Sequence, residues 1–589
     1  MIGDPGIPIP FIFYLGAVLL LIRIRILERI ILLLTPTLAF LVVIFLPKGD
    51  YHNIYFLGYN LVLTRLDALS YPFAIIFSLM AILGFIYSIH HEDVIQHISA
   101  MIYSGSALGV ILAGDWFSLY VYWELMAISS TFLILARKTD SSTKAAYRYF
   151  MVHILGGLML LAGILMEVSS GQNQGVGPME LKGTGKWLMF WGIALNGAIP
   201  PLHVWLKDAY PESTVTGGVF LSAFTTKSAV YVMARLFMGA EVLIWLGAIM
   251  TIFPAFYALI ENDLRRILSY SLVNQVGFMM CGVGIGTQLA LNGAVAHAFC
   301  HIIYKALLFM STGAVLHMTG KIKCTELGGL YKTMPLTALF CIIGAASNSA
   351  FPLFSGFISK SMIISASAHE GLLPIWLMLQ FGSAAVIVYL GLRVPYFAFF
   401  GRDRGLRSKE PPGNMLIAMG ICGFLCVYLG VNPQALYRIL PYPVDYIPYT
   451  GVHVVCQSQL LFFGILAFYL MLKGGVYPPE LKAINLDLDW LYRKGLGYYI
   501  MPFVFKALEV VNGLFYDIFV RKFPSGLRWL ILTLPRTLTL VILSPAKPFF
   551  TKNRFQNFVS EVLERLEEEP GSLSMTFAVG AIALIWLLL

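Results

Sequence analysis

Apolar runs long enough to cross a lipid bilayer recur along most of this chain, and they leave few ways to fold it. A helix needs about 20 apolar residues to cross roughly 30 Å of hydrocarbon. The runs here reach that length without the alternation of a barrel strand. A segment surrounded by lipid must close its backbone hydrogen bonds within itself, which favours the helix. The chain has 589 residues, 58% hydrophobic and 12% charged, where a soluble domain carries roughly 25% charged residues. The reading is an all-α, polytopic membrane protein.

The runs place spans near 7–22, 30–46, 68–89, 98–113, 116–135, 145–168, 187–206, 214–237, 241–259, 265–286, 289–318, 334–366, 372–399, 414–431 and 455–473, with a last one at 575–589. The first run has no basic lead and no small-residue cleavage site, so it reads as a retained helix and not a signal peptide. Lys and Arg concentrate after the odd-numbered spans: Arg23, Arg25 and Arg29; Arg137, Lys138 and Lys144; Arg265 and Arg266; Lys321, Lys323 and Lys332; Arg402, Arg404, Arg407 and Lys409. The positive-inside rule then puts the N-terminus outside, in a cell inner membrane, with those turns in the cytoplasm. The formal net charge of +9 belongs to these turns and implies no nucleic acid. Seven cysteines without a CxxC pair imply neither a disulfide framework nor a metal cluster.

The seventh and twelfth spans are interrupted at Pro200-Pro201 and at Pro352. Proline removes a backbone donor and clashes with the preceding turn. Both breaks open similar strings, PLHVWLKD at 201 and PLFSGFISK at 352. Breaks five spans apart fit two inverted five-helix repeats, with an ion path where they meet. The expected organisation is three N-terminal spans in 1–97, a first repeat in 98–240, a second in 241–400, and two further spans in 401–473. An amphipathic extension along the cytoplasmic face follows in 474–574, and a terminal span in 575–589. Two more crossings within 498–545 are the alternative and keep the same parity.

Ionisable side chains sit inside these spans, where they are costly and usually face a bundle interior or a wet cavity. Glu124 is alone in the fifth span, where it takes up a proton or holds a static ion pair. Lys227 is the charged residue in the middle of the eighth, too deep for its ammonium to snorkel to the interface. His297, His301 and Lys305 follow at i, i+4 and i+8, one stripe with about 6 Å between steps. Two histidines at i, i+4 can bind zinc, but no acidic or cysteine third ligand lies nearby, so no metal is expected. Lys360 follows the break in the twelfth span, as a station beside water or as a cap on helix-end carbonyls. His203, Lys207 and Asp208 follow the break in the seventh, as a gate or as a hydrogen-bonded turn. Glu, Lys and His exchange protons, so the expected passenger is the proton.

The strings FSLYVYWELMAISS, AIPPLHVWLKDAYPES, FLSAFTTKSAVYVMAR, ENDLRRILSYSLVNQVG, AHAFCHIIYKALLFMSTGAVLH, ELGGLYKTMPL and FPLFSGFISKSMI resemble the antiporter-like subunits of respiratory complex I and of Mrp cation/proton antiporters, most of all the D-type subunits of the Mrp antiporters. The resemblance covers roughly residues 65–400 in order, and INLDLDWLYRK is similar to tails of that D-type group. It implies about fourteen core helices in two inverted repeats around a polar axis. It assigns the family's intramembrane ionisable positions to Glu124, Lys227, His297, His301 and Lys360. It likens 474–574 and the last helix to the lateral arm of one complex I subunit. One position departs. Where the resemblance implies a lysine in the seventh span, this chain has Asn196. Glu124 then lacks its usual partner, and Lys227 is the nearest replacement by helix order.

The resulting expectation is a proton-translocating subunit of a multisubunit membrane complex, exchanging H⁺ for Na⁺ and without a cofactor of its own. No Gly-rich nucleotide loop, CxxC cluster or haem-binding pair is present to supply power. Whether it forms part of an enzyme complex is left open. The runner-up is the proton-pumping subunit of a complex I-like oxidoreductase or membrane-bound hydrogenase. A third reading, a scaffold that has lost conduction, follows from Asn196.

Overall fold

The computed structural model describes residues 6–56, 58–171 and 175–475, and scattered positions beyond. The chain divides into two compact units, Met1–Asn485 and Leu486–Leu589. The second falls almost wholly outside the described residues, as do the extension expected over 474–574 and the span expected at 575–589.

The first unit is a helical bundle. Its elements are α1 Ile9–Leu19, α2 Arg25–Phe45, β1 Gly49–Phe56, β2 Tyr59–Leu66, α3 Ser70–Ser88, α4 Val94–Leu112, α5 Trp116–Leu135, α6 Asp140–Ser169, α7 Thr184–Asn196, α8 Val204–Ala209, α9 Gly217–Ala223, α10 Thr225–Leu236, α11 Glu241–Ile260, α12 Leu264–Ile285, α13 Gln288–Thr319, α14 Pro335–Asn348 and α15 Ser355–His369. They continue as α16 Leu373–Phe400, α17 Gly413–Val431 and α18 Gly451–Lys473. Among the described residues, 11 helices are long and apolar enough to cross a membrane. Side chains of the connections set several starts. Asp93, Asp115 and Asp263 accept the first free amides of α4, α5 and α12, and Thr139, Thr287 and Thr450 do the same for α6, α13 and α18.

The β1–β2 hairpin is the departure from an all-helical chain. It is antiparallel, running from Gly49 opposite Leu66 to Phe56 opposite Tyr59. Asp115 ties it to α5 by also accepting the Val62 amide at 2.8 Å. The apolar-run map passes over it because each strand is too short and too polar to count as a span.

α12 and α13 are the axis of the unit. The most apolar 18-residue windows of these two helices are 100% and 94% buried by protein, against 33% for α2 and 11% for α18. α2 turns Ile26, Ile30, Leu34 and Leu38 outward, a stripe suited to lipid. α11 lies tight on α12 because glycines face each other. A Cβ at Gly277 would stand 2.7 Å from the Gly247 carbonyl oxygen. Small residues permit such close approach where apolar burial gives no drive in lipid.

Both proline breaks are present and share one hydrogen-bond pattern. After α7, Ile199 N donates to Ala194 O at 3.0 Å and Leu202 N to Ile199 O at 2.8 Å. After α14, Phe351 N donates to Ala346 O at 3.1 Å and Phe354 N to Phe351 O at 3.2 Å. Ala198 and Ala350 take left-handed φ values of 54° and 58° at equivalent points. The structural register therefore pairs Pro200 with Pro352, one residue away from the string match of Pro201 with Pro352. It also pairs Asn196 with Asn348, each the last residue of its half-helix. The expected eighth span has its own break, between α9 and α10 at Phe224. No proline or glycine marks it in the sequence.

Arg265 and Arg393 are fully buried and hold the connections together. Arg265 donates to the carbonyls of Pro211, Ser213 and Thr214, and Arg393 to those of Leu259 and Glu261. Arg265, counted above as a loop charge, is thus a clamp on helix-end carbonyls. On the opposite side Arg235 grips Asp67 with two bonds of 2.6 and 2.8 Å, joining the end of α10 to the start of α3. Burial would raise the Asp67 carboxyl, but the guanidinium outweighs it and holds the group at about 2. A depressed carboxyl contributes its stability above its unfolded pKa of roughly 3.9 and loses it as pH falls towards the folded value. Asp67→Asn is expected to cost about 2 kcal/mol. Thermal unfolding in detergent should show the gap between variant and wild type constant at neutral pH and closing between about pH 4 and pH 2.

Candidate functional site

The ionisable residues of the central helices converge. α13 carries His297, His301 and Lys305 along one unbroken helix, all fully buried. Lys227 comes from α10 and Lys360 from α15, also buried. The charges of Lys227, Lys305 and Lys360 all act on His297 and His301, and those of Lys227 and Lys360 on Lys305. The row brings together α10, α13 and α15.

Each station has a specific cradle. The break at Phe224 frees carbonyls at the end of α9, and Lys227 Nζ donates to Ser222 O at 2.7 Å and to Thr226 Oγ1 at 3.1 Å. Lys360 Nζ donates to Asn348 O at 3.1 Å, across the second break, and lies 5.1 Å from the Phe278 ring centre. Lys305 Nζ donates to Ser271 Oγ at 2.8 Å, which also receives Asn348 Nδ2 at 3.4 Å. His297 is held between Ser359 Oγ at 3.0 Å and Gln275 Oε1 at 3.1 Å, and Tyr304 OH also donates to Gln275. His301 has no protein hydrogen bond at either ring nitrogen among the described residues, with its ring centre 6.2 Å from that of His297 and 5.2 Å from that of Tyr304. Among the described residues no carboxylate joins these five groups. Charge on one cation therefore opposes charge on its neighbours in a low-dielectric interior, which couples their protonation.

Glu124 stands apart from the row. The ion pair with Lys227 suggested by helix order does not form, because Lys227 is committed to the end of α9. The Glu124 carboxylate is seated against α6, where a Cβ at Gly157 would collide with Oε1, and Oε1 is buried without a hydrogen bond. Asn196 is fully buried and neither amide atom has a partner among the described residues. Lys207 lies 5.9 Å from the Tyr270 ring centre, Asp208 pairs with Arg148 at 2.6 Å, and His203 packs on Phe253 at 4.7 Å. All three follow the first break, at the start of and within α8.

Several polar residues of the site were not singled out from the sequence. Ser271 and Gln275 share a face of α12 at i, i+4, and their polarity inside a wholly buried apolar helix was the available signal. In the first half, Tyr103 OH meets Thr225 Oγ1 at 2.7 Å, Tyr149 OH meets Ser130 Oγ at 2.9 Å, and the fully buried His153 stacks on Tyr149 at 3.9 Å. Thr225 adjoins Thr226, the partner of Lys227, so this hydroxyl cluster abuts the row.

The family described as NADH:quinone oxidoreductase/Mrp antiporter, transmembrane, matches residues 113–387. The matched segment is similar to the transmembrane domain of that family. Glu124, Asn196 and the whole row lie within the matched segment. The chain is 27% identical over 526 residues to the A-type subunit of the Na⁺/H⁺ antiporter of Alkalihalophilus pseudofirmus, covering 77% of this chain and 65% of that protein. It is 27% identical over 421 residues to hydrogenase-4 component B of Escherichia coli, covering 63% of this chain and 62% of that protein. The chain thus spans somewhat less than two thirds of the length of either relative. Its fold is shared with a chain of the archaeal membrane-bound sulfane sulfur reductase, with a TM-score of 0.69 at 23% identity over 86% of this chain and 95% of the other. It is shared too with a chain of the Mrp complex from Dietzia sp., with a TM-score of 0.66 at 19% identity over 79% and 98%. The chain is a polytopic membrane protein with an antiporter-like domain.

The seat of Glu124 gives a test that leaves the carboxylate itself in place. On the conduction reading proposed below, Gly157→Ala should displace it and lower ion transport by at least about tenfold in a correctly assembled protein, with the folded yield close to wild type. Flux in liposomes, normalised to assembled complex, checks this. Wild-type flux from Gly157→Ala would mean that the close seat has no part in transport.

Proposed function

We propose that this chain is a proton-conducting subunit of a multisubunit membrane complex of the Mrp cation/proton antiporter type. The observation that carries the reading is the buried row of bases formed by Lys227, the α13 stripe His297, His301 and Lys305, and Lys360, without a carboxylate among the described residues, with each outer lysine held at a helix break. A structural ion-pair network would include the opposite charge. A row of coupled bases does not lock, and a proton arriving at one end lowers the hold of the next station on its own. The α9–α10 break at Phe224 and the break after α14 each place a lysine on a helix-end carbonyl, which supports the charged form without fixing a counter-ion.

Proton transfer then proceeds between Lys227 and Lys360 by way of the α13 stripe His297, His301 and Lys305, in either direction. Glu124 is a separate loading group in contact with α6. Asn196, buried and unpartnered among the described residues, is suited to hold water between Glu124 and the row, using its amide as donor and acceptor. Two inverted repeats over 98–240 and 241–400, an outer N-terminus in a cell inner membrane and neighbouring membrane subunits belong to the same reading. The matched breaks and the Lys/Arg bias of the connections support it. Hydrogenase-4 component B among the relatives favours a second reading, a subunit of a redox-driven complex using the same row without Na⁺.

Proton flux into liposomes carrying the assembled complex tests both. Glu124→Gln should abolish flux while assembly survives, because Gln keeps shape and hydrogen bonding but cannot ionise. Wild-type flux in that variant would sink the role of Glu124. Flux driven by a Na⁺ gradient supports the antiporter reading, and flux that needs an electron donor and ignores Na⁺ supports the second. Asn196→Leu should slow transport by drying the gap, whereas unchanged flux and pH dependence would reduce Asn196 to packing.

A further inference from the structure

A cavity of 340 Å³ runs along the last quarter of the described chain and ends on Lys360. Its walls include Ser365 of α15, Gln380 of α16, Tyr446 and Thr450 of the connection before α18, and His453 and Gln457 of α18. Volume of this size holds about ten waters. From Lys360 to Ala368, both in the cavity wall, α15 rises about 12 Å, so the cavity joins a buried lysine to the last turn of α15 and to the connection at 446–450. Among the described residues no carboxylate lines it.

His453 is held there in one defined orientation. Its Nδ1 lies 2.7 Å from the Pro448 carbonyl oxygen, which can only accept, so Nδ1 carries a proton. Nε2 has no protein hydrogen bond among the described residues and is the base of the neutral ring. The ring stacks on Phe357 at 4.7 Å and 23°, and Tyr449 stacks on the same phenylalanine at 5.2 Å. The ionisable groups around it are Lys360 of α15, Tyr446 and Tyr449 of the connection and Cys456 of α18. Among these, the imidazole is the side chain with one ring nitrogen that donates and one that accepts.

We propose that His453 is the proton-exchange group at the mouth of the Lys360 cavity, handing protons between the internal row and bulk water. The inference rests on the conduction reading above. In release, the Lys360 ammonium gives a proton to cavity water, a water gives one to His453 Nε2, and the imidazolium returns it from Nε2 to bulk. Nδ1–H stays on Pro448 throughout. In uptake the same steps run backwards. α18 lies beyond the antiporter-like domain of 113–387, so a helix outside that domain completes its path.

The test compares His453→Ala, His453→Phe and Lys360→Ala in the assembled complex in liposomes, with and without added imidazole, against wild type at the same imidazole concentration. His453→Phe keeps an aromatic ring on Phe357 and loses proton exchange. Both His453 variants are expected to lose about tenfold or more in flux, and imidazole should restore His453→Ala but not His453→Phe, whose ring fills the site. Wild-type flux and pH profile in His453→Phe would overturn the proposal. Loss in both variants without recovery of His453→Ala by imidazole would overturn it too, since the loss would then be structural. Lys360→Ala separates the two levels. Flux abolished there, with His453 variants at wild-type rate, removes only the role of His453. Flux retained there removes the conduction reading itself.

Discussion

Everything distinctive in this structure follows from burying several cations in the middle of a membrane bundle without burying an anion beside them. A lysine in hydrocarbon is tolerated only where protein or water receives it. The chain meets that requirement with backbone. Lys227 takes the carbonyl of Ser222 at the end of α9, and Lys360 takes that of Asn348 at the end of α14. Carbonyls of intact helices are already used, so both lysines need helix ends inside the membrane, and the breaks provide them. The tightly packed α12 and α13 then keep lipid away from the row between them.

Neutral partners have a consequence that carboxylates would not. A buried ion pair is held by strong attraction and resists losing either charge. A lysine resting on a carbonyl or a serine hydroxyl gives up its proton at much smaller cost, and the cation next to it assists. His301, without a hydrogen bond at either nitrogen, is the least constrained member and stands between the two halves. Glu124, seated on Gly157 and away from the row, supplies an acid whose protonation need not follow the cations directly.

Much of this was legible in the sequence. Apolar length alone places the fifth span at 116–135, and α5 runs Trp116–Leu135. The i, i+4, i+8 spacing puts His297, His301 and Lys305 on one face because α13 is an unbroken helix. Proline locates two breaks to within a residue. The rest was hidden for physical reasons. The break at Phe224 carries no Gly or Pro, being stabilised from outside by the Tyr103 hydroxyl and from within by Lys227. The string match slipped by one residue because side chains around Pro200-Pro201 do not report which proline occupies the turn. Arg265 was counted as a loop charge because burial in a connection has no periodicity to read. The wall that α18 adds beside Lys360 is a long-range contact, and His453 alone in an apolar helix gave no sign of it.

The central claim is that protons pass along the row from the first half to the second through His301. Proton flux in liposomes bearing the assembled complex with His301→Gln measures it most directly. Gln fills similar space and can hydrogen-bond but cannot take up a proton near neutrality. The account predicts that flux falls by at least about tenfold while assembly is unchanged. Wild-type flux in the assembled variant would contradict it, because the two halves would then exchange protons by a route that bypasses the row.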